Sequence, residues 1–111
     1  MPTFRKERMG EAIRKVVTEK LIRDGSVFTN AFITVNKVDV SKDFRNATIF
    51  FSAFGDGVDE SEVSAQMNQH RNEFRYEISQ KLNLRRTPRV EFLFDKNTAY
   101  ASKIDKMLSQ K

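Results

Sequence analysis

The 111-residue chain contains no cysteine and no tryptophan, and it has a single histidine and only two prolines. Without cysteine it can form no disulfide, no thiolate zinc site and no cysteine nucleophile, which fits a reducing compartment. It also has no glycine-rich phosphate loop and no Walker-type Gly-Lys-Ser/Thr sequence. The N-terminus lacks an apolar signal core, and no run approaches the roughly 18 apolar residues of a membrane span. We therefore expect a cytoplasmic protein that has no cofactor and is not an enzyme.

Positively charged side chains outnumber negatively charged ones in this chain. Twenty lysines and arginines against fifteen aspartates and glutamates give a formal net charge of +5, which favours polyanionic partners such as RNA. Hydrophobic residues make up 39% of the chain and include ten phenylalanines, and a chain of this length buries one core rather than two. We expect one domain over residues 1–111 that acts as a monomer and takes no small-molecule substrate.

The first predicted element is a helix from about Phe4 to Asp24. Its apolar residues recur at steps of three and four, which is the period of one helix face. Gly25 is expected to end this helix as a left-handed cap, because glycine adopts that conformation at little steric cost. The basic residues on its other faces form either a solvated surface or a contact with RNA: Arg5, Lys6, Arg8, Arg14 and Lys15.

Two strands are predicted next, joined by the polar turn at residues 41–46, and so short a link favours an antiparallel hairpin. In the first strand the apolar phase slips near residues 36–37, which predicts a β-bulge. In the second strand Phe50 and Phe54 point away from the inward set. They could stack on RNA, although packing within the protein is favoured. The inward set of the second strand is Ala47, Ile49, Phe51 and Ala53.

A second helical pattern runs from Asp59 to Lys81, and Asp59 with Glu62 has the spacing of a capping box. As one straight helix it would be about 34 Å long at 1.5 Å per residue. That length is awkward beside the radius of gyration of about 13 Å expected for 100 residues. We therefore predict a kink near residues 69–72 and assign it to Asn72, the residue there that best tolerates irregular backbone geometry.

The stretch from Leu82 to Asp95 changes from helix to strand. Pro88 cannot continue a helix and pushes Thr87 into extended geometry, after which apolar residues alternate as in a strand with one apolar face. We expect the surface at this change of element to face phosphates, because it carries a cluster of guanidinium groups from Arg85, Arg86 and Arg89. A short helix over residues 101–110 is predicted to follow.

Three other groups are better explained by structure than by catalysis. His70 lies on the apolar stripe of its helix, so a partly buried structural imidazole is favoured. Asp95 ends a strand, where a turn or cap residue is the commoner role. Four acids are better explained as a solvated helix start than as a metal site, so no metal is expected: Asp56, Asp59, Glu60 and Glu62.

The element order is helix, strand, strand, helix, kink, helix, strand, with a C-terminal helix as an optional last element. A strand that returns after a helical crossover is expected to lie parallel to the first strand. The order resembles the type II KH fold, an α+β single domain with a three-stranded mixed sheet and helices on one face. The sequence resembles the ribosome-binding factor A family of bacterial small-subunit assembly factors in VDVSKDF at 38–44, ATIFFS at 47–52, LRRTPRVEFLFD at 84–95 and, more weakly, KIDKML at 103–108.

The resemblance implies a protein that binds the free small (30S) ribosomal subunit and its 16S rRNA and assists late maturation and rRNA processing. The family usually carries an Ala-x-Gly kink, whereas this chain has His70-Arg71-Asn72 there. We also expect no long charged C-terminal tail of the kind the family carries. From the residues themselves, the candidate RNA-binding side chains lie beside the kink and the start of the last strand: Arg71, Asn72, Arg75, Lys81, Arg85, Arg86 and Arg89.

A function of another class remains open beside RNA binding. The chain could be a protein-interaction module that uses an exposed sheet edge and phenylalanines, with no direct RNA role and with its charge only aiding solubility. A small phosphatase or nuclease of similar layered fold is a third hypothesis, but the sequence offers no evident catalyst. Steep salt dependence of RNA binding would favour the first function over the second.

Overall fold

The computed structural model describes residues 2–95 of the chain, with side chains from Arg5 onwards. Three helices and three strands follow one another in the order α1 Pro2–Phe28, β1 Phe32–Val40, β2 Asn46–Phe54, α2 Glu60–Gln69, α3 Arg71–Leu82 and β3 Arg89–Phe94. The helix predicted over residues 101–110 lies outside the described residues. The other elements occur in the predicted order, so the α+β class with a three-stranded mixed sheet is confirmed.

The sheet has the order β1-β2-β3, with β2 at its centre. β1 and β2 form the predicted antiparallel hairpin, and β3 pairs with β2 in parallel. The expectation that the strand after the helical crossover lies parallel to the first strand was wrong: β3 is parallel to β2 and therefore runs antiparallel to β1, because the hairpin has already reversed the chain. The helices pack on one face of this sheet, where Ile49, Phe51 and Phe92 are fully buried.

α1 does not end at Gly25 but continues to Phe28. The predicted cap was wrong because the extra turn buries Phe28, which is 5% exposed and whose ring centroid lies 4.9 Å from that of Phe74. Burying a phenylalanine contributes about 1.5–3 kcal/mol, which exceeds the ~1 kcal/mol that a glycine costs inside a helix. Tertiary packing therefore overrides the local signal for a helix end.

The absence of a side chain at Gly10 lets α1 lie close against β1. A Cβ atom there would lie 2.8 Å from the backbone oxygen of Val38, closer than a side-chain carbon can pack. Ile13 and Val17, three and seven positions further along the same helix face, are fully buried. The close approach of helix and sheet thus depends on a position that apolar periodicity does not single out.

The predicted β-bulge lies at Asn36, between the paired residues Val35 and Lys37. The Asn36 side-chain amide donates hydrogen bonds to Ser52 Oγ at 2.8 Å and to Asp95 Oδ2 at 3.0 Å, so the bulge in β1 is tied to β2 and to the residue that follows β3. Asp95, which directly follows β3, is a buried acceptor that is 8% exposed; its turn or cap role stays a prediction. The Asn36 donor lies 59 positions away in the chain, so this contact has no local sequence signature.

α2 and α3 are separated at His70, whose backbone angles φ −103° and ψ 10° are not helical. The predicted break is present, but its assignment to Asn72 was wrong, because Asn72 lies in the first turn of α3. His70 makes one tertiary contact and one local contact at this junction. Its ring centroid is 4.8 Å from that of Phe28, and its Nδ1 is 3.0 Å from Glu73 Oε1. This agrees with the predicted structural role of a partly buried imidazole.

The phenylalanines on the outer face of the sheet have different surroundings. Phe50 is half-buried, and Lys37 Nζ lies 4.8 Å from its ring centroid. Phe54 is 59% exposed and is the Cα partner of Phe32, which is 81% exposed. Packing was predicted for Phe50 and Phe54. It holds for Phe50 but is wrong for Phe54, because Phe54 ends β2 and its partner across the hairpin is itself exposed.

Candidate nucleic-acid interface

A cleft of about 1030 Å³ lies at the end of the sheet where β2 and β3 begin. Parallel pairing brings these two strand starts together: Asn46 is opposite Arg89 in the register, and the Arg89 amide donates to the Arg45 carbonyl at 2.8 Å. The hairpin turn, the loop before β3 and α3 form its three walls. We call it the basic cleft, and its lining residues are Asp43, Phe44, Arg45, Asn46, Asn72, Arg75, Tyr76, Ser79, Arg85, Arg86, Thr87 and Arg89.

The hairpin-turn wall is held by side-chain hydrogen bonds of Ser41 and Asp43. Asp43 Oδ1 accepts from Ser41 Oγ at 2.6 Å and from the Arg45 amide at 3.1 Å, and Ser41 Oγ accepts from the Asn46 amide at 3.0 Å. The Ser41 hydroxyl first and the Arg45 amide second lower the pKa of Asp43 below its ordinary value. Phe44 completes the turn with a left-handed φ of 60°. The turn thereby presents Arg45, whose side chain is 77% exposed.

The loop between α3 and β3 forms the second wall and is anchored at three points. α3 ends at Asn83, which has left-handed angles of φ 51° and ψ 46°, a conformation that asparagine tolerates. Pro88 is fully buried at the other end of the loop. Arg75 donates from Nη2 and Nε to the Thr87 carbonyl at 2.9 and 3.3 Å, which ties the loop to α3. The loop backbone is therefore held in place beside the cleft.

The structure brings together most of the site residues proposed from the sequence. The basic cleft is lined by Asn72, Arg75, Arg85, Arg86 and Arg89. Arg71 lines an adjoining hollow of about 360 Å³, which shares Asn72, Arg75 and Arg89 with the cleft. Lys81 is exposed in the last turn of α3 but lines neither space. Lys81 is thus the one proposed residue that these two hollows leave out.

Seven lining residues of the cleft were not among the site residues predicted from the sequence: Asp43, Phe44, Arg45, Asn46, Tyr76, Ser79 and Thr87. Arg45 and Asn46 directly follow the Ser-x-Asp turn on which the family resemblance partly rests, so that motif was an available signal. Tyr76 and Ser79 lie four and seven positions after Asn72 and share its helix face. Helical spacing would therefore have indicated them once Asn72 was assigned to regular helix.

The lining of the basic cleft is strongly positive. It contains five arginines and one acid, Asp43. Within residues 2–95, Arg85, Arg86 and Arg89 are exposed and their guanidinium groups form no ion pair and no hydrogen bond. A guanidinium group that is not paired internally presents a planar fork of N–H donors, which matches the oxygens of a phosphate. The cleft is therefore chemically suited to a phosphate-rich ligand.

The acidic residues before α2 have a structural role. Asp59 is the N-cap of α2, and its Oδ1 accepts from the amides of Ser61 at 2.9 Å and Glu62 at 3.2 Å. This is the helix start predicted from the sequence. Across the described residues, no three histidine, aspartate or glutamate side chains gather in a way that could hold a metal ion. Over the same part of the chain, no helix combines the length and the apolarity of a membrane span.

Comparison with known proteins assigns a family to this chain. The family model for Ribosome-binding factor A matches residues 5–108. Ribosome-binding factor A of Gemmatimonas aurantiaca is 34% identical over 109 residues, which cover 96% of this chain and 73% of that protein. Ribosome-binding factor A of Rhodopseudomonas palustris, strain BisB5, is 36% identical over 107 residues, which cover 94% of this chain and 78% of that protein.

Solved structures give the same result at the level of the fold. A Thermotoga maritima candidate ribosome-binding factor A, solved by NMR, matches with a TM-score of 0.69 at 28% identity over 86% of this chain and 92% of that one. The crystal structure of Thermus thermophilus ribosome-binding factor A matches with a TM-score of 0.65 at 22% identity, over 79% of this chain and 93% of that one. A Thermus thermophilus homology model fitted into the cryo-EM map of a 30S–RbfA complex matches with a TM-score of 0.60 at 21% identity, over 73% of this chain and 85% of that one. The chain has the KH-like fold of these proteins and belongs to the ribosome-binding factor A family.

Proposed function

We propose that this protein is a non-enzymatic assembly factor that binds the free small (30S) ribosomal subunit through its 16S rRNA and assists late maturation and rRNA processing. The observation that carries the RNA contact is the basic cleft, with five arginines and one acid in a single lining. A related Thermus thermophilus protein fitted into the map of a 30S complex supports the choice of partner. The protein acts in the cytoplasm as a monomer and needs no cofactor.

The arginines of the cleft bind phosphates of the rRNA. Arg85, Arg86 and Arg89 lie on or beside a loop whose backbone is held by the Arg75–Thr87 hydrogen bonds and by buried Pro88. Binding therefore orders side chains more than backbone, which lowers the entropic cost of association. Contacts of this kind give affinity and orientation and little choice of base sequence. The factor thus recognises an arrangement of phosphates.

A second function is favoured by a separate observation on the outer face of the sheet. Phe32 and Phe54 are 81% and 59% exposed and lie opposite each other in the hairpin. β1 is also an edge strand of the sheet. Exposed aromatic side chains next to a strand edge suit an extended polypeptide that adds to the sheet. In this alternative the protein is an interaction module with no direct RNA role.

Co-sedimentation with free small subunits over a range of salt concentrations tests the first function. Removing the cleft guanidiniums by Arg85→Ala, Arg86→Ala and Arg89→Ala together should weaken binding at least about tenfold. The slope of log affinity against log salt should fall by up to about three, since each phosphate contact contributes roughly one. Urea melts should show a change below about 0.5 kcal/mol for each substitution, because these side chains are exposed.

A matched variant of α1 serves as the control. Replacing Arg14, Lys15 and Arg23 on α1 by alanine removes the same charge from a surface outside the cleft and should change binding much less. Arg14 pairs with Glu11 and Arg23 pairs with Asp24 and Glu77, so melts of this variant are compared with the wild type as well. Equal losses in the two triple variants would show that net charge, and not the cleft, drives binding. If the affinity does not change with salt concentration and the double variant Phe32→Ser/Phe54→Ser no longer binds, the interaction module is favoured. If the cleft variant melts at a much lower urea concentration yet binds RNA normally, the cleft arginines stabilise the fold and do not form the RNA site.

A further inference from the structure

Tyr76 presents a large aromatic surface to solvent inside the basic cleft. It is 67% exposed, whereas Phe74 and Ile78 on the same helix are fully buried. Within residues 2–95 its hydroxyl makes no hydrogen bond and its ring stacks on no other ring. The contacts of this ring therefore contribute little to the packing of the fold.

The helix determines that this ring faces the cleft. Asn72, Tyr76 and Ser79 follow at steps of four and three on α3 and line the cleft together. A single exposed aromatic side chain on a protein surface needs no functional explanation. Tyr76 differs because it shares a concave lining with five arginines. That combination suits a ligand that is both anionic and aromatic.

We infer that Tyr76 stacks on one unpaired base of the RNA while neighbouring arginines hold the phosphates on either side of it. The inference rests on the proposed function and adds the class of RNA, which is a single-stranded or bulged segment. Every base has a π-face, so this contact accepts any base. Within a continuous A-form duplex the base faces are covered by neighbouring pairs, and proteins reach such a duplex through phosphates and 2′-hydroxyls.

The basic cleft has the room and the charge for such a nucleotide. Its volume of about 1030 Å³ is slightly larger than the roughly 300–1,000 Å³ of small-ligand pockets. Arg85 and Arg86 supply guanidinium groups that are not paired within residues 2–95. A base on Tyr76 can therefore lie in the same space as the phosphates bound to these arginines.

Fluorescence anisotropy with three RNA probes tests this role. The probes are a short single strand of mixed sequence, a duplex of the same sequence, and a strand of the same length whose sugars carry no bases. We expect Tyr76→Ala to weaken binding of the intact single strand about 5- to 100-fold, in line with measured base–aromatic stacking. It should leave duplex and abasic-strand binding unchanged. Tyr76→Phe keeps the ring and should bind within about twofold of the wild type, whereas Tyr76→Leu should resemble Tyr76→Ala.

The slope of affinity against salt separates this effect from a loss of phosphate contacts. It should be the same in all Tyr76 variants, unlike in the triple arginine variant. Thermal melts check that each variant is folded. The inference is overturned if Tyr76→Ala binds the single strand as well as the wild type does, if it weakens all three probes equally, or if Tyr76→Phe loses as much as Tyr76→Ala. If the wild type binds neither RNA nor free subunits, the proposed function fails as well; if it binds them with steep salt dependence, only the stacking role fails.

Discussion

Two polar regions border β3, and they differ in whether their hydrogen-bonding groups are satisfied inside the protein. In the middle of β3, Asn68 on α2 accepts from the Phe92 amide at 2.9 Å and donates to the carbonyls of Phe92 at 3.0 Å and Ser64 at 2.9 Å. We call these contacts the Asn68 latch. At the start of β3, Arg89 lies in the basic cleft without an ion pair in residues 2–95. The first arrangement stabilises the fold, and the second leaves donors for a ligand.

The latch follows from the position of β3 at an edge of the sheet. An edge strand has backbone amides and carbonyls with no neighbouring strand, and buried groups of this kind are costly when they remain unpaired. Phe92 is fully buried, so its backbone cannot rely on solvent. The side-chain amide of Asn68 supplies one acceptor and one donor, as a peptide of another strand would. The comparison therefore predicts large stability effects at the latch and mainly binding effects in the cleft.

The largest stability effect is expected from Asn68→Ala. It removes three hydrogen bonds and leaves the Phe92 amide unpaired, which should lower the free energy of unfolding by about 2–3 kcal/mol. Urea melts measure this change, and Gln69→Ala, one residue further along α2 and exposed, is the control and should stay within about 0.5 kcal/mol. RNA affinity of the folded variant should not change. Wild-type stability in Asn68→Ala would remove the contrast between the two regions.

Arg75 combines the two roles within the cleft, since it lines the cleft and its guanidinium group also donates to the Thr87 carbonyl. Arg75→Ala should cost about 1 kcal/mol of stability through the loop and should also weaken RNA binding. Arg75→Lys keeps the charge but loses the planar fork, so it should restore most of the salt dependence without restoring loop stability. Melts and anisotropy on the same samples separate the two roles. If Arg75→Ala changes neither the stability nor the RNA affinity, the Arg75–Thr87 contact contributes to neither property.

The two asparagines at positions 72 and 83 test the backbone on either side of the cleft. Asn72 lies in helix, so of its Ala, Gly and Val variants Ala should be the most stable, with Gly lower by up to about 1 kcal/mol. Asn83 has left-handed geometry, so the order should reverse: Gly should be neutral or stabilising, and Val should cost about 1–2 kcal/mol. Urea melts of the six variants measure this. The same order at both positions would contradict the assigned helix boundaries.

The smallest effect is expected at Asp43, a satisfied acceptor that also faces the cleft. Its folded pKa is lowered from an ordinary value of 3.8 by the Ser41 hydroxyl and the Arg45 amide. The stabilisation it contributes is therefore present above that value and is lost as pH falls through the folded pKa. In melts at a series of pH values, the stability of Asp43→Asn should therefore fall less on acidification than that of the wild type. Near neutral pH it should bind RNA slightly more tightly, because one opposing charge is gone.

Local signals predicted those parts of the fold that depend on neighbours in the chain. The phase slip of apolar residues placed the bulge near Asn36, and the capping spacing placed the start of α2 at Asp59. The predictions that were wrong involve contacts between distant residues. The local sequence predicts a helix end at Gly25, because nothing nearby in the chain shows that Phe28 is buried against α3. The break between α2 and α3 was assigned to Asn72, whereas packing on Phe28 places it at His70.

The sequence by itself determined the element types, their order and the arginine cluster around Pro88, because periodicity, capping and proline geometry act over a few residues. Only the tertiary structure decided that Arg45 and Tyr76 join that cluster. Parallel pairing aligns the start of β2 with the start of β3, and α3 packs so that one of its faces lines the same space. A binding surface built from three separate segments is determined by how those segments pack, and packing depends on contacts across the whole core.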